Sequence, residues 1–331
     1  MSPHTVLVLG AAGRFGHAAV QAFAQAGWRV LAQQRRPPAQ PSAGPVQTLP
    51  LPLSQPDALA AAARGASVVV HAVNPVYTRW DAELLPLLHQ GLAVCERLGA
   101  RFVLPGNVYA YGRQMPPRLD ESTPARPDND KGRLRARMED ELQRRAGRGL
   151  DSVVLRAGDF FGSGRGSWLD LVIARSLPRG RLVYPGPLDR VHAWAYLPDL
   201  ARAAVAVAGD GGYRGCLRLH FEGHAVTGQA FVDALAQAAA SLGLRPDGGW
   251  RIGGVPWPLI RALGLVHPMM RELGRMSYLW QVPHALDGTA LRQRVGPLAQ
   301  TPLVDALRQS LAALLPDEGA AVRQGIKAPA R

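Results

Sequence analysis

At 331 residues with 47% apolar side chains, the chain is too long for one minimal domain and too apolar to be disordered. Its formal charge of +13 rests on arginines spread along the chain, with Lys131 and Lys327 the only lysines, which points to a solvated basic surface and no nucleic-acid partner. Two isolated cysteines, Cys95 and Cys216, argue against a disulfide framework or zinc site, and no apolar run has the length of a bilayer span, so no membrane partner and a cytoplasmic location are expected.

The first half alternates β-type runs with helical segments, the pattern of a parallel sheet with crossover helices. Thr5–Leu9 reads as the first strand, His17–Ala26 as an alanine-rich helix ended by Gly27, and Trp28–Gln34 as the second strand. A proline-rich surface loop, Pro37–Pro45, leads to a weak third strand near Val46–Leu51. Asp57–Ala63 is helical, and Ser67–Val73 is a β-branched run suited to a strand buried on both faces. Asp81–Leu98 forms a long helix, and Arg101–Leu104 a fifth strand closed by Pro105-Gly106. Beyond a polar loop over Met115–Asp130, Leu134, Met138 and Leu142 mark one face of a helix, and Asp151–Arg156 is a sixth strand. The later pattern is looser, with one further strand at Leu217–Phe221 and clear helices at Val226–Leu242 and Pro302–Leu315. The tail after Pro316 is polar and expected to be flexible.

Gly10, Gly13 and Gly16 stand just after the first strand and just before the first helix. A dinucleotide pyrophosphate needs a tight turn, close backbone approach and free N–H groups at a helix start. This GxxGxxG segment, with Ala12, Arg14 and Phe15 completing it, meets those needs in the required strand–turn–helix context. The expected fold class is therefore α/β, a Rossmann doubly wound parallel sheet over 1–160, with a smaller C-terminal substrate-binding region over 161–316 that returns some elements to the core. At the end of the second strand, where an acid would hold a ribose 2′-hydroxyl, the chain has Gln33-Gln34-Arg35-Arg36, and no carboxylate lies between Gly10 and Pro56. Arg35 and Arg36, with Arg14, suit a 2′-phosphate, so NADP is expected ahead of NAD.

Further segments follow in order: Val68–Asn74, Phe102–Gly112, Leu155–Gly162 and Trp194–Ala201. Together with the glycine loop, over about Val6 to Leu315, they resemble the extended and atypical short-chain dehydrogenase/reductase family, which includes NAD-dependent epimerase/dehydratase proteins. The resemblance implies an oxidoreductase or epimerase acting on a small-molecule substrate, with a homodimer through the helices at about 81–98 and 131–147. It places His71, Ala72, Val73 and Asn74 beside the cofactor, and Ala157, Gly158 and Asp159 towards its nicotinamide end. Pro52, with Leu53 beside it, stands where an aspartate commonly contacts the adenine side.

In that family a tyrosine and a lysine one helical turn apart exchange the proton that accompanies hydride transfer. Here Pro127 precedes Lys131 by four residues and Arg323 precedes Lys327 by four, so the sequence contains no YxxxK. By resemblance Lys131 occupies the tyrosine position, Arg135 the lysine position and Asn107 the catalytic serine position, while His192 replaces an arginine that clamps the diphosphate of sugar-nucleotide substrates, a role for which Arg190 could substitute. Tyr109, Tyr111 and Lys131 are the leading candidates for proton chemistry, with Asn107 as a hydrogen-bond donor and Asp159, His192 and Tyr196 as further candidates. His220-Phe-Glu-Gly-His224 is misspaced for zinc and reads as a strand and turn, and Trp250, Trp257, Trp280, Met269 and Met270 either line a substrate pocket or pack as core. Two readings remain: an NADP-dependent enzyme with a rearranged acid/base, or a non-catalytic NADP-binding redox sensor or assembly factor.

Overall fold

The apolar runs of the first half become the centre of a seven-stranded sheet in which every pairing is parallel. The computed structural model describes residues 4–36 and 45–315, so most of the proline-rich loop and the tail from 316 lie outside the described residues. In chain order the first half comprises β1 (Thr5–Leu9), α1 (Arg14–Gln25), β2 (Arg29–Gln33), β3 (Val46–Leu49), α2 (Pro56–Ala62), β4 (Val68–His71), α3 (Trp80–Leu98), β5 (Arg101–Asn107), β6 (Arg118–Leu119), α4 (Asp130–Ala146) and β7 (Ser152–Ala157). The second half adds β8 (Asp159–Phe161), β9 (Arg181–Tyr184), β10 (Val191–Tyr196), α5 (Leu197–Gly209), β11 (Cys216–His220), β12 (His224–Thr227), α6 (Gly228–Ser241), β13 (Arg251–Gly254), α7 (Trp257–Leu263), α8 (Pro268–Met276), β14 (Ala285–Leu286), α9 (Thr289–Val295) and α10 (Leu303–Ala312).

The strand order is β11-β7-β5-β4-β1-β2-β3. The chain winds outward from β1 through β2 to β3, then returns to place β4 on the other side of β1. This reversal opens a crevice at the carboxyl ends of β1 and β4, where ligands of such sheets bind. Both faces of the central strands are apolar because both are covered. Val6, Val8, Val68, Val70 and Val153 pack under α1 and α5, whereas Leu7, Leu9, Val69, Phe102 and Val154 pack under α2, α3 and α4.

Three local expectations change. β5 does not stop at Pro105 but continues to Asn107, paired on its β7 side as far as Asn107↔Ala157. Its ladder with β4 ends at Val70↔Val103, so the N–H that Pro105 lacks would have faced a place with no neighbouring strand. The helix expected from Val226 starts at Gly228, because Val226 and Thr227 belong to β12 and the Thr227 hydroxyl accepts from Ala230 N at 3.2 Å. The later half holds several short strands rather than one. β12-β10-β8 form a small sheet against an aromatic core of Phe161, Trp194, Tyr184, Phe231, Trp257 and Trp280.

Behind the sheet edge, Arg156 of β7 meets Glu139 of α4 through a two-pronged contact, Nε to Oε1 at 3.0 Å and Nη2 to Oε2 at 2.5 Å. Arg156 also donates to the Tyr111 hydroxyl, which lies 2.7 Å from His220 Nε2, and His220 Nδ1 lies 3.1 Å from Leu119 O. Removing one partner from such a buried pair costs far more than the pair itself contributes. Arg156→Met is expected to lower stability by about 3 kcal/mol, since Glu139 keeps only Arg218 as a partner at 3.1 Å. Denaturant titration of parent and variant measures this, and a change below about 1 kcal/mol would show the network to be dispensable.

Candidate active site

The turn from β1 into α1 is built around absent β-carbons. Gly10 has φ +75°, and a β-carbon there would lie 3.0 Å from Val73 N and 3.1 Å from the Ala72 carbonyl carbon. At Gly16 a β-carbon would run into the Gly10 carbonyl and lie 2.9 Å from Ala11 Cα. The Gly13 amide donates to Gly10 O at 3.0 Å, closing the turn. α1 then begins on Gly13 with no side-chain cap and no acid in its first turn, so its leading amides face the crevice as anion donors. The side chains of Ala11 and Phe15 turn into the core, and Ala12 is exposed. This arrangement fits a dinucleotide pyrophosphate.

At the adenine side, Gln33 fills the space beneath the loop. Its Oε1 accepts from Gly10 N at 3.0 Å, and its Nε2 donates to Leu51 O at 2.7 Å. Arg35 and Arg36 are exposed in the bend after β2, and Leu53 is buried beside Leu49. Arg14 departs from its expected role. Its Nη1 donates to Phe160 O of β8 at 3.4 Å.

His71 also departs. Its ring points into the core against Gly91, stacks on Phe102 with centroids 5.5 Å apart, and leaves both nitrogens without a partner. Burial, reinforced by Arg135, holds its pKa down to about 3, so the ring is neutral. The backbone of Ala72 and Val73 packs against Gly10, within 3.1 Å of where a β-carbon would stand. Asn74 Oδ1 accepts from Arg135 Nη2 at 3.4 Å.

The proposed proton-transfer residues fall into two groups. Tyr111 is fully engaged by Arg156 and His220 behind the sheet edge, away from the crevice, and burial raises it to about 12. Asn107 spends its Oδ1 on Tyr109 N at 3.1 Å and so shapes the turn after β5. Lys131, only 3% exposed, donates to Tyr77 O at 2.7 Å and to Glu272 Oε2 of α8 at 3.1 Å. It also lies 4.2 Å from the Tyr77 ring centroid. Its ammonium is thus a strut between α4 and α8. Tyr196 is tied to Gln309 at 2.8 Å, in the C-terminal core.

Tyr109 remains at the crevice wall, near Tyr77, Trp80 and Arg135. Burial drives both Tyr77 and Tyr109 well above the ordinary phenol value, and the Asp159 charge adds to this, so both are neutral donors. The Arg135 guanidinium stands 4.6 Å over the Trp80 ring and acts in the opposite sense on Tyr109. Opposite this wall, Asp159 Oδ2 lies 3.0 Å from His192 Nε2. Gly158 makes this approach feasible, because a β-carbon there would strike the Ala193 carbonyl of β10. Tyr77, Glu272 and His284 escaped the sequence reading. Tyr77 could have been found from its place just past the carboxyl end of β4, but Glu272 and His284 arrive from far along the chain with no local signal.

A family model described as the NAD dependent epimerase/dehydratase family matches residues 6–213. No curated protein sequence matches the chain. Among solved structures, MoeE5 in complex with UDP-glucuronic acid and NAD is 21% identical at a TM-score of 0.70, over 94% of this chain and 98% of its own. A putative epimerase from Burkholderia cenocepacia J2315 is 21% identical at a TM-score of 0.72, covering 95% and 98%. L-threonine dehydrogenase from Phytophthora infestans is 14% identical at a TM-score of 0.71, covering 94% and 100%. These likenesses show a common fold.

Lys131→Met is expected to destabilise the chain by about 2 kcal/mol in denaturant titrations, because Tyr77 O loses its donor and Glu272 keeps Arg275 alone, at 3.5 Å, among the described residues; an unchanged midpoint would remove the strut. Acid acts through the buried histidines. His71 is held to about 3 and His284, by burial and then by His192, to about 4. Both titrate near 6.5 when unfolded, so protons favour the unfolded chain. The stability they contribute is full above about pH 6.5 and lost as pH falls towards 4 and 3. Between pH 7 and 5 the loss is on the order of 2 kcal/mol per histidine, and His71→Leu should flatten that slope; an identical slope in the variant would contradict the assignment.

Proposed function

Since the chain belongs to the NAD dependent epimerase/dehydratase family, we propose that it is an oxidoreductase or epimerase-type enzyme that favours NADP and works without a YxxxK pair. The observation that carries this reading is the glycine turn, where β-carbons at Gly10 and Gly16 would overlap backbone and which leads directly into an uncapped helix start. The first-turn amides of α1, with Arg14 from the crevice side, hold the pyrophosphate. Arg35 and Arg36 take the 2′-phosphate, with Leu53 near the adenine. Ala72, Val73 and Asn74 border the middle of the cofactor, and Ala157, Gly158 and Asp159 its far end. When bound, the nicotinamide supplies hydride acceptance and return.

Tyr109, kept protonated by burial, donates a hydrogen bond to a substrate oxygen, and Asn107 fixes the turn that presents it. Lys131 and Arg135 shape the wall behind. The substrate is a small alcohol or carbonyl compound. A diphosphate is disfavoured, because His192 stands where by resemblance the clamping arginine would be and is engaged by the Asp159 carboxylate, which leaves Arg190 as the cation that could substitute.

Fluorescence titration with NADPH and NADH, followed by turnover assays on alcohols, aldehydes and sugar nucleotides, tests this reading. Arg35→Ala should weaken NADPH binding about 10- to 100-fold and leave NADH unchanged, as expected for one charge-assisted contact. Tighter binding of NADH than NADPH by the parent would overturn the cofactor preference. Tight NADPH binding with no turnover across the panel would favour the sensor or assembly-factor reading.

A further inference from the structure

We propose that Asp159 and His192 form the proton-exchanging pair of this site, with the Asp159 carboxylate as the group that meets the substrate hydroxyl. The proposal rests on the oxidoreductase reading above and supplies the acid/base that the missing YxxxK leaves open.

The pair is held by backbone. β8 and β10 run parallel in register Trp194↔Asp159, and the bare Cα of Gly158 lets the Ala193 carbonyl approach. The result is the 3.0 Å contact between Asp159 Oδ2 and His192 Nε2, with the two side chains 15% and 4% exposed. Behind it, His192 lies flat on the Trp280 indole, with centroids 4.2 Å apart and planes 2° from parallel. His284 meets the same imidazole edge-on at 4.7 Å, and its Nδ1 lies 2.9 Å from Val282 O. His284 is held neutral at about 4, so it does not compete for the proton. The imidazole is therefore clamped on one face and one edge, and its carboxylate partner is the more open of the two.

Asp159 also sits at the right junction. Its charge reaches Arg14 of the cofactor loop on one side, and Tyr77, Tyr109 and Tyr278 on the other. Tyr184 of β9 feels it from the C-terminal core, and Glu272 faces the same wall through Tyr77. The other candidates are spent: Lys131 is locked to Glu272, Tyr111 lies behind the sheet edge, and burial holds Tyr77 and Tyr109 as phenols. A carboxylate backed by an imidazole is the remaining device for moving a proton near neutral pH.

With a nicotinamide bound, the substrate C–H bond would break in the oxidative direction and its electron pair would leave as the hydride that the ring accepts. The O–H bonding pair becomes the second bond of the carbonyl, and the proton passes to Asp159 Oδ1, is shared with His192, and leaves to solvent. Reduction runs the same steps backward.

Three readouts on the full-length protein test this. Proton release on adding NADP⁺ is followed with an indicator dye in dilute buffer, because the cationic ring bound beside the pair should expel a proton. The imidazole nitrogens of His192 are followed by NMR. NADPH affinity is followed by fluorescence. Asp159→Asn and His192→Gln should each suppress the proton release, and Asp159→Asn should move the His192 Nε2 resonance, because its 3.0 Å carboxylate partner is lost. On any substrate found, Asp159→Asn should lower kcat by about 10²- to 10⁴-fold, with partial recovery in Asp159→Glu. Wild-type proton release and kcat in both variants would overturn the pair and leave the cofactor reading standing. Failure of the parent to bind NADPH or NADH would overturn the oxidoreductase reading and this one with it.

Discussion

The guanidinium of Arg156 leaves the central sheet and meets the Glu139 carboxylate in a dry space under α4. Two nearly parallel hydrogen bonds fix not only the distance between β7 and α4 but the rotation of the helix about its own axis. That rotation decides where the first turns of α4 aim Lys131 and Arg135. The same guanidinium holds the Tyr111 hydroxyl, so the loop after β5, which carries Tyr109, is pinned from behind. A buried ion pair of this kind contributes little net stability, and its value lies in the single orientation it permits. The wall of the crevice inherits its shape from this pair.

The part of the fold that was legible in the sequence is the part governed by local rules. Val6–Leu9 and Val68–Val70 are apolar on both faces because helices cover both faces, and no other placement satisfies them. The glycine turn was legible because only glycine survives where a β-carbon would overlap backbone. The extension of β5 through Pro105 was not, because whether a missing N–H matters depends on where the neighbouring strand happens to end. The short strands β8, β10 and β12 were hidden for a related reason: few residues pair, and their burial comes from aromatic side chains gathered from distant segments.

The site divides along the same line. Gly10, Gly13 and Gly16 announce a tight strand-to-helix turn because what they contribute, a missing β-carbon, is their own. The surroundings of Arg14, His71, Tyr111 and Lys131 were not legible, because they come from distant segments: Phe160, Phe102, Arg156 and Glu272. Asp159 and His192 are visible as residue types but become a pair only when β8 and β10 lie side by side. Burial then sorts the ionisable groups, pushing the phenols out of the working range and keeping His71 and His284 neutral.

Lys131 has one more property, which follows from composition and position together. Arginine supplies nearly all the positive charge, and Lys131 is the single lysine among the described residues. Its ammonium is enclosed by Tyr77, Trp80 and Glu272. Reagents that acylate lysines therefore find, among the described residues, this one buried ammonium alone. Their entry to residue 131 requires its contacts with Tyr77 and with Glu272 of α8 to part, so the acylation rate of one side chain becomes a clock for the separation of α8 from α4.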